Sequence, residues 1–241
     1  MQEWNSRTAM LLGEAAIERL EAAAVTVFGL GGVGSYAAEA LARAGIGRLV
    51  LVDGDVVSDT NRNRQLIALT STVGQPKAEV MAQRVRDINP ACRVEAHTVF
   101  YLPGEGEGLI DGCNYVVDAI DTVTAKLALA EECRDKRIPL ISAMGCGNKL
   151  DPTQFRVRDI ARTSVCPLCR VMRRELRARG IEHLKVVYSE EPPLTPQAVF
   201  CTETPDASRR TLPGSVSFVP SVAGLILAGE VIRDLSGSNE R

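Results

Sequence analysis

The N-terminal part of the chain changes from a helical to a strand-like spacing of apolar residues. A helix is predicted over residues 6–22, with an apolar side formed by Leu11, Leu12, Ile17 and Leu20. The apolar run at residues 25–28 contains β-branched valine and threonine and predicts a short buried strand. The sheet is therefore expected to begin at this run.

Strands and helices alternate as far as residue 143. The predicted helices lie at residues 33–44, 76–89 and 123–136, and the predicted strands at 48–52, 93–99, 115–117 and 139–143. Glycines at 45 and 47 end the first of these helices, and Pro90 ends the second. Alternation at this spacing predicts an α/β fold with a doubly wound, mostly parallel sheet.

The pattern changes after Asp151. An arginine-rich helix is predicted over residues 167–179, followed by a proline-rich loop at 190–196 and a C-terminal helix. No internal repeat is visible. We therefore expect one domain, with a core at about 7–150 and a C-terminal extension at about 151–235.

Charge, hydropathy and cysteine content limit the classes of protein. The apolar stretch at 216–235 is interrupted by Pro220, Glu230 and Arg233, which favours a buried helix over a membrane span. A net charge of −2 argues against a protein that covers nucleic acid or membrane with its whole surface. The seven cysteines are irregularly spaced, and no signal-peptide pattern precedes them, so a reducing, cytoplasmic location is expected.

A glycine-rich loop follows the first predicted strand. Gly29, Gly31 and Gly34 let the backbone turn tightly and approach a phosphate, and the following helix adds unpaired N–H donors. Asp53 ends the next predicted strand, where its carboxylate can accept hydrogen bonds from ribose hydroxyls. The pattern indicates an adenine nucleotide, and both an NAD-dependent dehydrogenase and an ATP-using enzyme fit it.

Charged residues beyond Asp53 favour ATP. Arg62, Arg64 and Lys77 supply cations that can offset the charge of a triphosphate. Asp121 follows the fourth predicted strand, at the edge where parallel sheets bind ligands, and its carboxylate can hold Mg²⁺. Each residue also has a simpler explanation, namely solvated surface charge or, for Asp121, a helix cap. Only the combination supports the ATP hypothesis.

This series of motifs resembles the ubiquitin-activating superfamily, which includes bacterial activators of sulfur-carrier proteins. The matching residues are Gly29, Gly31, Gly32, Gly34, Asp53, Asp55, Asn61, Arg64, Gln65, Lys77 and Asp121. The resemblance implies a Rossmann-like adenylation fold that binds ATP and Mg²⁺. It implies that the glycines cradle phosphate, that Asp53 holds the ribose, and that Asp121 holds magnesium.

The same resemblance implies further roles. The phosphates are surrounded by Asn61, Arg64, Gln65 and Lys77. Arg7 is similar to an arginine that relatives donate across a homodimer. The implied catalytic residues are therefore Arg64, Lys77, Asp121 and Arg7.

Segments after residue 143 resemble one particular group within this superfamily, the tRNA threonylcarbamoyladenosine dehydratases. They lie at residues 144–152, 167–177, 185–189 and 213–224. The resemblance implies that ATP adenylates the threonyl carboxylate of the modified adenosine. The neighbouring carbamoyl oxygen then closes a ring and AMP leaves. A tRNA substrate is implied, and a sulfur-transfer partner is allowed by the wider family.

The arginine-rich helix carries two open questions. Arg170, Arg173, Arg174 and Arg177 predict a patch that contacts tRNA phosphates, with a solvated helix face as the alternative. Cys166 and Cys169 form one CxxC pair, whereas the sulfur-carrier activators bind zinc through two pairs. Zinc is therefore not expected, because Cys201 and His183 would complete a site only in an unusual arrangement. The alternatives are two ordinary thiols and a redox-sensitive pair.

Two other functions stay open at this point. An activator of a sulfur-carrier protein would use the same adenylation chemistry, and the missing second CxxC pair and the basic helix disfavour it. An NAD(P)-dependent oxidoreductase would give no role to Arg64, Lys77 or Asp121.

Overall fold

The structure is a computed structural model that describes residues 3–104, 106, 108–197 and 213–238. The helices are α1 (Ser6–Leu12), α2 (Glu14–Ala22), α3 (Gly34–Arg43), α4 (Lys77–Ile88), α5 (Val123–Lys136), α6 (Pro167–Ala178) and α7 (Phe218–Ser236). The strands are β1 (Ala24–Phe28), β2 (Arg48–Val52), β3 (Arg93–His97), β4 (Tyr115–Asp118), β5 (Leu140–Ala143), β6 (Phe155–Asp159) and β7 (Lys185–Ser189).

The strands form a mixed sheet in the order β3-β2-β1-β4-β5-β7-β6. Neighbouring strands are parallel throughout, except that β6 runs antiparallel to β7. The chain proceeds outward from β1 to β3, then returns to the other side of β1 with β4. This reversal opens a crevice at the carboxyl ends of β1 and β4, where ligands of such sheets bind. The predicted doubly wound, mostly parallel sheet is confirmed.

Aliphatic side chains cover both faces of the sheet. One face packs against α2, α3, α4 and α7, with Leu41 and Leu227 among the fully buried residues. The other face packs against α5 and α6, where Met172 and Leu129 are buried. Burial of each such side chain contributes roughly 1.5–3 kcal/mol, so these two layers fix the positions of the strand ends.

The first predicted helix is divided in two. Gly13 has φ 89° and ψ 156°, a backbone conformation that other residues rarely adopt, and it separates α1 from α2. The prediction of one helix over residues 6–22 is therefore wrong. Ile17 and Leu20 of α2 are buried as expected, but Leu11 of α1 is 80% exposed.

The C-terminal extension supplies part of the sheet. Strands β6 and β7 lie after Asp151 and extend the sheet beyond β5, and sequence patterning did not identify either of them. The buried C-terminal helix was predicted correctly as α7, which packs against α3 and α2. Among the helices of the described residues, none has both the length and the apolar content that crossing a bilayer requires.

The contact between α7 and the N-terminus of α3 permits a stability test. A Cβ added at Gly224 would lie 2.2 Å from the Val33 carbonyl oxygen and 3.0 Å from Tyr36 Cβ. Gly224→Ala is expected to force the two helices apart and to lower the free energy of unfolding by about 1–3 kcal/mol in urea denaturation.

The same helix provides the matched control for Gly224→Ala. A Cβ at Gly229 would meet only the flexible end of Arg233, at 3.6 Å. Gly229→Ala is expected to leave stability unchanged or to raise it by up to about 1 kcal/mol through helix propensity. Equal unfolding midpoints for Gly224→Ala and the unsubstituted protein would contradict the close contact.

Candidate active site

The glycine-rich loop is held against the end of β4 by backbone contacts that exclude a side chain. Gly29 has φ +80°, and a Cβ there would lie 2.7 Å from the Ala119 carbonyl oxygen. A Cβ on Gly34 would lie 1.7 Å from the Gly29 carbonyl oxygen. These contacts require glycine at both positions and direct the N-terminus of α3 into the crevice between β1 and β4.

The centre of the loop leaves room for an anion. A Cβ added at Gly31 would have only Gln65 Nε2 nearby, at 3.7 Å. Gln65 is buried, and its Oε1 atom has no hydrogen-bond partner among the described residues. The Nε2 group can donate to an anion in the open cradle, and Oε1 can accept from a ligand hydroxyl or amine. The residues present therefore fit a bound nucleotide phosphate.

Asp53 closes one side of the cradle. Its Oδ2 accepts a hydrogen bond from Leu30 N at 2.6 Å, and its Oδ1 accepts one from Asp55 N at 2.9 Å. Burial raises the pKa of Asp53, while the Lys77 ammonium and the two N–H donors partly oppose that rise. A carboxylate has about four acceptor positions, so two remain for ribose hydroxyls.

Lys77 is the first residue of α4 and lies under the same loop. Its side chain is buried, and Nζ lies 2.8 Å from Asp55 Oδ2. The backbone N–H of Lys77 also donates to the Asp55 carbonyl oxygen, at 3.0 Å. Asp55 therefore positions the lysine next to the Asp53 carboxylate. The structure brings the sequence-predicted residues Asp53, Asp55 and Lys77 together.

The segment at 60–65 packs beside the glycine loop, with Gln65 near Gly31 and Arg64 near Gly32. Arg64 donates through NH1 to the Thr60 carbonyl oxygen at 3.1 Å and to Asn63 Oδ1 at 2.9 Å. The aliphatic part of the Arg64 side chain packs against Gly32, since a Cβ added at Gly32 would lie 3.4 Å from Arg64 Cγ. Asn61 is buried, and its Oδ1 accepts from Ser58 N at 3.1 Å, which fixes the turn that presents the arginine. Arg62 is exposed and pairs with Asp59.

Asp121 lies in the turn between β4 and α5, with an exposed side chain. Thr122, and not Asp121, occupies the N-cap of α5, so the helix-cap explanation does not apply. Within the described ranges no group of three or more histidine, cysteine or acidic side chains could enclose a metal ion. Mg²⁺ commonly binds through one or two carboxylates together with substrate phosphates and water, and a single exposed carboxylate fits that mode.

A buried ion pair beneath this turn was missed by sequence analysis. Lys126 Nζ donates to Asp118 Oδ2 at 2.9 Å, to Ser142 Oγ at 3.1 Å and to the Ala143 carbonyl oxygen at 2.8 Å. Asp118 Oδ1 accepts from Ile120 N at 3.0 Å, which shapes the turn before Asp121. The lysine resembles a solvated helix residue in the sequence, and only its position opposite β4 and β5 reveals the pair.

Ser35 is a second residue that sequence analysis missed. It is buried in the first turn of α3, and its Oγ donates to the Gly31 carbonyl oxygen at 2.6 Å. The same Oγ accepts from Leu66 N at 3.3 Å. One hydroxyl therefore joins the glycine loop to the segment that carries Arg64 and Gln65.

Arg7 lies outside this cluster. It is exposed on α1, and no hydrogen bond or ion pair found among the described residues joins it to the loop or to its acidic and basic neighbours. The adjacent residues Met10 and Leu11 are 81% and 80% exposed. A role for Arg7 at this chain's own site is not supported by the geometry.

The arginines of α6 divide into two groups. Arg170, Arg174 and Arg177 are exposed. Arg173 instead turns inward, where NH1 donates to Thr163 Oγ1 at 2.8 Å and to the carbonyl oxygens of Thr163 and Ile160 at 2.9 and 3.2 Å. Arg173 thus holds the preceding turn, which reduces its availability for phosphate contact.

The residues considered for zinc do not gather in the described part of the chain. His183 pairs with Asp159, with Nδ1 lying 3.1 Å from Oδ2. Cys166 and Cys169 are buried and unbonded to other cysteines. Cys201 lies outside the described residues.

Comparison with known proteins gives consistent matches along the chain. The sequence matches the ThiF family over residues 5–241. A tRNA threonylcarbamoyladenosine dehydratase of Bacillus subtilis (strain 168) is 47% identical over 237 residues, covering 95% of this chain and 93% of the relative. The E. coli tRNA N6-threonylcarbamoyladenosine dehydratase in complex with AMP is 38% identical, with a TM-score of 0.87, covering 100% of this chain and 98% of that chain. The structure of the E. coli dehydratase in complex with ATP is 37% identical, with a TM-score of 0.86 and the same coverage. This chain therefore belongs to the ThiF family.

Proposed function

We propose that this chain is an ATP-dependent tRNA threonylcarbamoyladenosine dehydratase. The observation that carries the proposal is the cluster of Asp53, Lys77, Arg64 and Gln65 around an open glycine cradle. The similarity to named dehydratases along nearly the whole chain supplies the substrate class. The reaction adenylates the threonyl carboxylate of the modified adenosine and closes it into a cyclic form.

The chain's own groups would bind the nucleotide from both ends. The remaining acceptor positions of Asp53 hold the ribose hydroxyls, and the N–H groups at the start of α3 hold the phosphates. Lys77 is held by Asp55 close to Asp53, and the side chain of Arg64 packs against Gly32 of the cradle. They offset the negative charge that develops as the carboxylate attacks the α-phosphorus and pyrophosphate leaves. Asn61 and Gln65 contribute neutral donors that fix the geometry.

Asp121 is the residue that would hold Mg²⁺. The ion, when bound, supplies positive charge to the pyrophosphate leaving group. Asp118 cannot take this role, because its carboxylate is occupied by Lys126, Ser142 and the Ile120 N–H. The Asp118–Lys126 pair instead positions the turn that carries Asp121.

Ring closure needs little further chemistry from the protein. The carbamoyl oxygen and the activated carbonyl belong to the same nucleoside, so the attack is intramolecular and a cysteine thioester is not required. The protein's task in this step is to hold the nucleoside in a compact conformation and to exclude water that would hydrolyse the adenylate. AMP is the leaving group.

The two alternatives explain fewer of the contacts. A nicotinamide enzyme gives no role to the buried Lys77 beside Asp55 or to Arg64 beside Gly32. A sulfur-carrier activator uses the same cations, so it differs only in the carboxylate that is activated. The experiment on tRNA therefore has to identify the product.

The function is tested by incubating the protein with ATP, Mg²⁺ and tRNA that carries uncyclised threonylcarbamoyladenosine. Nucleoside mass spectrometry is expected to show the loss of one water, together with AMP release. Lys77→Ala is expected to lower the rate by roughly 10²–10³-fold, because it removes a positioned charge from the phosphates.

Lys136→Ala is the matched control for Lys77→Ala. Lys136 also pairs with an aspartate, Asp111, at 2.6 Å, but it lies at the far end of α5. Its removal is expected to leave the rate unchanged. Full activity of Lys77→Ala would refute adenylation at this cradle, and AMP formation without loss of water from the nucleoside would refute the dehydratase assignment.

We also propose a homodimer in which Arg7 of one copy reaches the active site of the other. This arrangement would explain why apolar side chains of α1 are exposed in the single chain. Met10 and Leu11 are exposed beside Arg7. A shallow groove next to α1 is lined by Thr8, by the ion pair of Glu39 and Arg43, and by apolar side chains that include Tyr36, Leu225 and Ile232. Contiguous exposed apolar side chains mark protein interfaces, and a second copy would bury them while bringing Arg7 to the partner.

Mixed dimers test this arrangement. Arg7→Ala and Lys77→Ala are each expected to be inactive as homodimers. In a heterodimer, the Arg7→Ala chain keeps its own Lys77 and receives Arg7 from its partner, so one site of the two is complete. Random mixing is expected to restore about a quarter of the unsubstituted activity. No recovery, despite verified heterodimers, would place Arg7 outside the partner's site.

The exposed arginines of α6 are proposed to contact tRNA phosphates. Substitution of Arg170, Arg174 and Arg177 by alanine is expected to weaken tRNA binding. The slope of log binding constant against log salt concentration is expected to become shallower by about one for each phosphate contact that is lost. Arg86→Ala on α4 is the control, because that helix lies on the opposite face of the sheet. An unchanged slope in the triple variant would count against this surface.

A further inference from the structure

Cys166 and Cys169 lie at the N-terminus of α6 and take no part in the proposed reaction. Cys166 occupies the N-cap position, Pro167 is the first helical residue, and Cys169 follows in the same turn. This spacing places the two side chains on one face of the helix. It also brings the Cα atoms into the range of roughly 4.4–6.8 Å that disulfides bridge. Neither cysteine forms a disulfide in the structure.

The two thiols have unequal surroundings. The Cys166 sulfur lies at the N-terminus of α6, near Gly145 and close enough to Cys169 for the two thiols to act on each other's pKa. The Cys169 hydrogen bond is the main cause that lowers the pKa of Cys166, and the same interaction together with burial raises the pKa of Cys169. These opposite directions favour Cys166 as the attacking thiol and Cys169 as the thiol that keeps its proton, the division found in reactive CxxC motifs.

The backbone immediately before Cys166 is strained. Cys166 N donates to the Ser164 carbonyl oxygen at 2.5 Å, and the intervening Val165 has φ 61°. A γ-turn with a β-branched residue at positive φ costs of order 1–3 kcal/mol and is found mostly at functional sites. Val165 is 46% exposed, whereas Cys166 beneath it is 3% exposed. Opening the turn would release the strain and expose the sulfur at the same time.

Other cysteines of the described residues lack these features. Burial is the largest cause of a raised pKa at Cys92, Cys113, Cys133 and Cys146. Cys133, for example, lies in the middle of the cluster between α5 and the sheet. These thiols are the inert, structural kind, which makes the pair at α6 distinct within the same molecule.

We propose that Cys166 and Cys169 form a redox-active dithiol that exchanges with low-molecular-weight disulfides. The Cys166 thiolate attacks one sulfur of the small disulfide, whose S–S bond breaks and releases one thiolate. The released thiolate takes the proton of Cys169. The Cys169 thiolate then attacks the Cys166 sulfur and displaces the second small thiolate, which takes a proton from water. Counted from two protonated thiols, the protein loses two electrons and two protons, the first proton having left when Cys166 ionised, and the small disulfide is reduced to two thiols.

Trypsin mapping makes the proposal directly testable, because cleavage after Arg162 and Arg170 leaves both cysteines in one peptide. The full chain is equilibrated at neutral pH in mixtures of reduced and oxidised glutathione, quenched with an alkylating reagent and digested. The expected result is a peptide lighter by two hydrogens and resistant to alkylation, whose fraction rises with the oxidant and reverses with dithiothreitol.

Single substitutions separate the two roles. Cys169→Ser is expected to accumulate a glutathione adduct on Cys166, because the resolving thiol is absent. Cys166→Ser is expected to be modified at Cys169 about tenfold more slowly than Cys166 is in Cys169→Ser. Cys133→Ser is the control and should leave the disulfide titration unchanged.

Several results would overturn the proposal. These are a peptide that stays fully alkylated in oxidised glutathione alone, equal modification rates in the two variants, or a cross-link from either cysteine to Cys201. Zinc bound to the purified chain and protecting the pair from alkylation would also overturn it, by making the thiols metal ligands.

Discussion

The crevice at the ends of β1 and β4 depends on three places where one backbone approaches another too closely for a side chain. Gly29 lies against the Ala119 carbonyl oxygen, Gly34 against that of Gly29, and Gly224 against that of Val33. The first two join the loop after β1 to the end of β4. The third joins α7 to the start of α3. Together they aim the first N–H groups of α3 into the crevice, place Asp121 at its edge and bring Pro220 over Gly32.

Buried charge is the second constraint at this edge of the sheet. Burying Lys126 and Asp118 is costly unless every polar group finds a partner. The three acceptors of the Lys126 ammonium, together with the Ile120 N–H on Asp118, meet that condition. Removal of one partner of such a pair costs about 3–5 kcal/mol. The pair therefore holds the end of β4 rigidly, and a rigid turn is what a residue such as Asp121 needs if it is to meet a ligand.

Sequence patterning was accurate where local signals agree with tertiary structure. The alternation between residues 24 and 143 gave the strands and helices within a few residues, and the glycine loop, Asp53 and Lys77 lie together as the motifs predicted. Patterning failed at β6, where Arg156 and Arg158 alternate along an edge strand that only pairing with β7 defines. It also failed at Lys126 and Arg173. Long basic side chains resemble solvated residues in a sequence, and their burial is decided by elements distant along the chain.

Two of the C-terminal segments that carry the resemblance to the dehydratases are joined by hydrogen bonds to Arg64, one of the cations proposed to bind phosphate. Asn148 has φ 59°, donates through its backbone to the Gly214 carbonyl oxygen at 2.8 Å and accepts from Gly214 N at 2.6 Å. The next residue, Ser215, accepts from Asn63 Nδ2 at 3.0 Å, and Asn63 Oδ1 in turn holds Arg64. Arg64 is thus oriented by the loop after β5 through the segment that leads into α7. A change in the C-terminal half of the chain therefore reaches the proposed nucleotide site through this one set of hydrogen bonds.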